Sequence, residues 1–295
     1  MSDNGRYDRS VEDIGNVVGL EHVNTRVPDQ QLATQFYVAG LGLTRDPYLM
    51  TGVGNMWINV GRSQFHLPTG RAQVLRGHTG IVMAGRAALL ARLQALGDAL
   101  NATKFAFAER STYVEVTCPW GNRLRIFEPG ERFAAMMLGI PYVEFEVAPG
   151  TSEGIANFYR QFLGTPANTE NDALGRLARV SVGAGQQLLF RETEGAAPPF
   201  DGHHVAIYLA DFSGPHRRLL ERRLITEESD QHQYRFQDIV DPADGKVLFT
   251  IEHEVRSMRH PMYARPLVNR NPMLSNRSYA PGYEDQSWSL PVGAT

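Results

Sequence analysis

Three of the nine histidines, His22, His66 and His78, stand in the short apolar runs LEHVNT, QFHLP and HTGIVM. An imidazole in such a run either closes a structural hydrogen bond or offers a lone pair to a first-row divalent cation. A cation held by imidazoles and carboxylates, with coordination positions left open, lets a substrate chelate through two of its own oxygens. It then polarises a carbonyl, stabilises an enediolate or, if redox-active, supports oxygen chemistry. Arg125 in RLRIF cannot ligate a cation, but its guanidinium can clamp a carboxylate or phosphate, or pair with Glu115 or Glu128.

Strands must position these side chains. Val23, Thr25 and Val27 alternate with His22, Asn24 and Arg26, the period of a half-buried strand. His22, Asn24 and Arg26 therefore share one face. A helix is expected over 30–39, where Leu32, Phe36 and Tyr37 recur at helical spacing and Gly40 and Gly42 end it. Short strands follow over 44–49, 55–60 and 63–67, separated by glycines. That makes one βαβββ unit. His78 opens a second, with a helix over 87–100 and strands near Phe105, at 112–117 and at 123–127. A third opens at 141–147, and a fourth at 203–209 with a helix over 215–223.

The chain repeats itself. Gly19 and Gly139, Phe36 and Phe158, and Gly42 and Gly164 are separated by 120, 122 and 122 residues, and the pair His78 and His204 by 126. Near-constant spacing across independent landmarks argues for duplication.

HV on a first strand, FY before a GLG stop, FHLP on a last strand and PWGNRLRIF on another resemble the vicinal oxygen chelate superfamily of glyoxalases, bleomycin-resistance proteins and extradiol dioxygenases. The resemblance covers roughly residues 17–255. It implies an α+β fold of four βαβββ modules forming two paired-module domains, 17–130 and 139–255, with curved mixed sheets around cavities. Residues 1–16 would be an N-terminal extension and 256–295 a proline-rich tail that wraps over the body or a neighbouring subunit. Ligands in such proteins come from the first and last strands of each module. That implies His22, His66 and His78 as ligands of one divalent ion (iron, manganese, zinc or nickel).

The pattern departs at the fourth position, four residues after the Gly121-Asn122 turn, where Arg125 replaces the usual carboxylate. Glu128 is the alternative ligand, at the opposite strand parity from Arg125. Arg125, Asn24 and Tyr113 would contact substrate. In the second half the corresponding positions count to Tyr142, Leu188, His204 and Phe249, so that half is expected to hold no metal, with Glu252 and Glu254 on a solvated face. The implied activity is that of a metal-dependent lyase, isomerase or dioxygenase on a small oxygenated metabolite. The alternative is a non-catalytic binding or resistance protein of the same fold.

Composition narrows the partners. A formal charge of -3 gives no basic footprint for nucleic acid. Neither a signal-like segment nor an apolar run of membrane length is found, and the single cysteine, Cys118, is expected to be a buried structural thiol. A cytoplasmic protein with a small-molecule substrate, no nucleic acid and no membrane is the expectation, and module pairing across chains would make a homodimer. No phosphate loop, dinucleotide fingerprint or nucleophile elbow is present.

Overall fold

The computed structural model describes residues 7–47, 49, 54–195 and 198–267, in which four βαβββ modules follow one another. The first comprises β1 (Val17–Asn24), α1 (Gln30–Ala33, continuing as a π-helical turn over Thr34–Gly40), β2 (Thr44–Arg45), β3 (Asn55–Val60) and β4 (Ser63–Pro68). The second comprises β5 (Gly77–Met83), α2 (Arg86–Leu100), β6 (Ala106–Glu109), β7 (Val114–Thr117) and β8 (Arg123–Phe127). The third runs β9 (Leu138–Val147), α3 (Ser152–Phe158, with a π turn over Tyr159–Leu163), β10 (Ala167–Asp172), β11 (Gly175–Ser181) and β12 (Gln187–Glu192). The fourth runs β13 (His204–Leu209), α4 (Ser213–Glu221), β14 (Ile225–Asp230), β15 (Gln233–Val240) and β16 (Val247–Ser257).

Local chemistry sets these boundaries. The Asp29 carboxylate accepts from the backbone N–H groups of Gln31 and Leu32 and so starts α1. Gly42, at φ 77°, takes the left-handed turn that leads away from it. The strand expected over 44–49 is only two residues long among the described residues.

The modules pair crosswise. One eight-stranded sheet has the order β14-β15-β16-β13-β1-β4-β3-β2, and the other β10-β11-β12-β9-β5-β8-β7-β6. The first module therefore joins the fourth through the antiparallel pair β1–β13, and the second joins the third through β5–β9. Each of the halves 17–130 and 139–255 contributes one module to each sheet. The chain crosses to the other sheet between β4 and β5, whereas the short link after β8 returns β9 directly against β5.

The main core lies between the sheets. Phe145 of β9 and Phe190 of β12 meet Phe249 of β16 at ring distances of 5.6 and 5.8 Å, and Tyr159 hydrogen-bonds His253 of β16 across 2.6 Å. Alternate residues of β16 are thus committed to the interlayer core, and Glu252, Glu254 and Arg256 take the opposite face. Gln186, just before β12, clasps the layers: its amide nitrogen donates to Ser63 Oγ (2.9 Å) and the Ile140 carbonyl (3.1 Å), and its oxygen accepts from the Leu20 N–H (3.0 Å). After β16 the chain turns back over the first sheet. Tyr263 packs on Tyr208 at 4.9 Å and Arg265 pairs with the buried Asp46 at 2.5 Å. Residues 268–295 of the expected tail lie outside the described residues. Among the described residues no helix is long and apolar enough to cross a membrane.

Candidate metal centre

Strand register defines equivalent positions in the four modules. On paired first and last strands His22 lies beside Gln64, His78 beside Arg123, Tyr142 beside Gln187 and His204 beside Glu252. Two residues further along, the last strands carry His66, Arg125, Leu189 and Glu254. The first sheet thus gathers His22, His66, His204 and Glu254, and the second His78, Arg125, Tyr142 and Leu189.

In the first sheet these side chains converge. One nitrogen from each of His22, His66 and His204 falls within a 4.8 Å cluster, and Glu254 shares a second such cluster with His22 and Glu21. The His22 and His204 Nε2 atoms are 3.3 Å apart, and His204 Nε2 lies 3.5 Å from Glu254 Oε2. Each of these two rings turns its other nitrogen to a carboxylate: His22 Nδ1 is 2.9 Å from Glu21, and His204 Nδ1 is 3.3 Å from Glu252. In the tautomer that puts the proton on Nδ1 of each ring, facing its carboxylate, the two Nε2 atoms present lone pairs to each other. His66 is held by Asn55, which accepts from Nε2–H at 2.7 Å, and by the flat stack of Trp57 at 3.8 Å. Its Nδ1 accepts from the Asn24 amide at 2.7 Å, so Asn24 must rotate if that lone pair is to reach a cation.

Electrostatics keeps the donors in ligand form. Burial, aided by neighbouring positive groups, holds His22 well below the usual imidazole range and His66 down to about 2, so both are neutral. Burial pushes the Glu254 carboxyl up, but nearby His22, Arg256, His204 and Arg235 outweigh it, and the group stays below the usual carboxylate range. Burial likewise opposes ionisation of Glu252, yet its hydrogen bond with His204 and the charges around it bring it to about 2. Arg235 ion-pairs with both Glu252 and Glu254, and Arg256 with Glu21 and Glu254.

A scan against protein-family models finds no match, and neither does a search of curated proteins. Solved structures do match. Glyoxalase I from Zea mays aligns with a TM-score of 0.56 at 14% identity, covering 81% of this chain and 92% of that one. A candidate dioxygenase from Bacillus subtilis aligns with a TM-score of 0.54 at 18% identity, covering 83% and 86%. The chain has the vicinal oxygen chelate fold.

Within that fold the three histidines expected as one ligand set are divided. His22 and His66 stand together in the first sheet, while His78 lies in the second, with Nε2 3.1 Å from the Tyr142 hydroxyl and Nδ1 3.8 Å from Glu144. The physical reason is the crosswise pairing, which brings the fourth module, not the second, against the first. Arg125 and Tyr113 accompany His78, with the guanidinium 5.3 Å from the Tyr113 ring centre, whereas Asn24 stays beside His66. Glu128 is not near either set; it is exposed and accepts from the Arg86 N–H at the start of α2.

His204, which the count reaches but assigns to the other half, and Glu254, which it misses, stand with His22 and His66. Counting four residues from Gly245 reaches Phe249, which faces the interlayer core, and the last-strand position of the third module is Leu189, one residue beyond Leu188. Register puts the equivalent position at Glu254, two residues beyond the Glu252 that pairs with His204 and five beyond Phe249; five being odd, the two side chains take opposite faces of β16. Glu254 is 3% exposed and not solvated. The alternation EHE in IEHEV, with His253 between Glu252 and Glu254, is the signal in the sequence that marks this strand. Cys118 is buried, its sulfur accepting from the Asn122 N–H at 3.2 Å.

Proposed function

We propose that His22, His66, His204 and Glu254 hold one divalent metal ion, and that the protein is a metal-dependent enzyme acting on a small oxygenated metabolite as a lyase, isomerase or dioxygenase. The observation that carries this reading is the convergence of one nitrogen from each of His22, His66 and His204 within 4.8 Å, with Glu254 beside His22 and His204, in a buried setting. With the proton on Nδ1 of both rings, the facing Nε2 lone pairs of His22 and His204 would repel unless a cation lay between them. Donors bonded at about 2.1 Å to one cation are about 3.0 to 3.4 Å apart at octahedral or tetrahedral angles, which matches the His22–His204 spacing.

The donor set fits iron, manganese, zinc or nickel. Four protein donors on a six-coordinate ion leave two positions, enough for two oxygens of one substrate. Bound there, the ion would supply Lewis-acid polarisation of a substrate oxygen, with redox chemistry added only if it is iron or manganese. The protein's own groups do the rest. Glu21 and Glu252 orient the imidazoles, Trp57 and Asn55 fix the plane of His66, and Arg235 and Arg256 hold the surrounding carboxylates in place. One carboxylate among three imidazole ligands would leave a bound dication with one net positive charge, which favours an anionic substrate.

Arg125, which stands where a carboxylate ligand is usual, belongs to the other sheet and occupies no position of this centre, so it does not favour a purely sequestering protein here. Elemental analysis of untagged protein purified without added metal tests the proposal. Near-stoichiometric metal in the wild type, lost in the His22→Ala variant, is expected; wild-type protein without metal that also fails to take up iron, manganese, zinc or nickel on titration would overturn it.

A further inference from the structure

The second sheet carries a cavity of about 730 Å³ at the position that corresponds to the metal centre. Its four equivalent positions are His78, Arg125, Tyr142 and Leu189, a set with one imidazole and no carboxylate. Glu144 comes near His78, but Arg191 engages both of its oxygens, at 3.1 and 3.3 Å, so it is not free to bind a cation. The cavity therefore has no donor set for a metal. We propose that it is a separate, metal-independent site for a small planar carboxylate, gripped by Arg125 and seated against aromatic faces.

Charge and shape carry the inference. Four arginines line the cavity (Arg125, Arg132, Arg179 and Arg191) against three carboxylates (Glu131, Glu144 and Asp172), and a fourth carboxylate, Glu170, pairs with Arg179. The pairing is uneven. Arg191 is bound to Glu144 and Asp172, and Arg179 to Glu170. Arg125 and Arg132, by contrast, have no carboxylate within ion-pair distance among the described residues; they lie over aromatic rings, Arg125 at 5.3 Å from Tyr113 and Arg132 at 5.0 Å from Phe127. A guanidinium stacked on a ring keeps its in-plane N–H groups available for a bidentate acceptor.

The Tyr142 hydroxyl is also committed in a way that orients this grip. It lies 3.1 Å from His78 Nε2, with the Arg125 guanidinium beside it. Gly80 makes room for this arrangement, since a Cβ there would lie 2.3 Å from the Tyr142 ring. Tyr113, Phe127 and Phe133 form a contiguous aromatic wall, with ring centres 5.4 and 5.2 Å apart along the row. A flat apolar body fits against that wall. A single negative charge suits the two arginines that have no carboxylate partner among the described residues, Arg125 and Arg132, whereas a dianionic phosphate would bring a second charge beside Glu131.

The test is calorimetric titration with benzoate of protein that has been chelator-treated and then dialysed, so that binding cannot occur through a metal. Saturable binding of benzoate is expected, with benzamide, its neutral analogue, at least about tenfold weaker. Arg125→Gln should weaken benzoate about 10- to 100-fold, the range for losing charge-assisted hydrogen bonds. Arg132→Gln should weaken it less, and Leu189→Trp, which fills the cavity without touching the charges, should abolish it; urea midpoints of the variants establish that each is folded. Absence of saturation, equal binding of benzamide, unchanged affinity in Arg125→Gln, or competition by inorganic phosphate as strong as that by a second aromatic carboxylate would each overturn the proposal. None of these outcomes bears on the metal centre, which is in the other sheet.

Discussion

The Nε2 atoms of His22 and His204 face each other across 3.3 Å, although the two residues are far apart in the chain and belong to the first and last modules. This pair makes the centre depend on the crosswise pairing of β1 with β13. His204→Ala should therefore abolish metal uptake, while His78→Ala, in the other sheet, should leave it intact. If metal binds at 100 times its dissociation constant, the wild type and His78→Ala should each gain about 2.7 kcal/mol of stability on loading, and His204→Ala none. Parallel elemental analysis and thermal melts of the three proteins check this; loss of metal in His78→Ala with retention in His204→Ala would reverse the assignment.

Glu21 acts at one remove, because its carboxylate takes the His22 Nδ1–H at 2.9 Å and also accepts from the Tyr208 hydroxyl at 2.8 Å. The variant Glu21→Gln keeps the shape but replaces a charged acceptor by a weaker amide oxygen. Metal affinity should fall about 10- to 100-fold, the usual loss when a carboxylate behind a ligating histidine is removed. Competition against a chelating dye measures the constant. A variant whose affinity equals that of the wild type would mean that His22 is oriented by packing alone.

Acid should destabilise the metal-free protein through its buried histidines. Burial holds His78 at about 3, with Arg125, Arg123 and Arg191 pushing the same way, and burial holds His253 at about 4. Both are neutral when folded but take up a proton near pH 6.5 when unfolded. The unfolded state therefore binds more protons below that pH, and stability falls as pH drops from about 6.5 towards the folded values, at about 1.4 kcal/mol per pH unit for each such histidine. His78→Phe removes one of them. Urea titrations at pH 6 and pH 4.5 should show a shallower decline in that variant than in the wild type, and identical slopes would argue that His78 is protonated in the folded state.

Much of this architecture can be read in the sequence. The alternation in LEHVNTRV, the GLG stop and the repeated spacing define four βαβββ units, and the strand Arg123–Phe127 falls where the pattern puts it. Which module lies against which is another matter. That choice depends on the edges of β1, β5, β9 and β13, and each of these strands offers a similar apolar run to any of the others. The centre was legible where a module keeps standard spacing, as at His22, His66 and His204. Glu254 escaped because strand parity is fixed by hydrogen-bond register, and it lies nine residues beyond Gly245, not the four by which Arg125 follows Gly121.

The clasp at Gln186 offers a test of how far the two sheets support one another. Its side chain bonds three strands at once: it reaches Leu20 in β1, Ser63 in β4 and Ile140 in β9. Removing it strands a backbone donor and a backbone acceptor between layers where water has little access, a loss of about 1 to 3 kcal/mol. Gln186→Ala should lower the urea midpoint accordingly, with the slope of the transition unchanged if the sheets still unfold together. Because β1 carries His22 two residues beyond Leu20, the same variant should also weaken metal binding, and Gln186→Glu should do worse, since a carboxylate would face the Ile140 carbonyl in place of a donor. A midpoint within error of the wild type in both variants would mean that the interlayer core, through contacts such as Phe145 on Phe249, holds the sheets in register without the clasp.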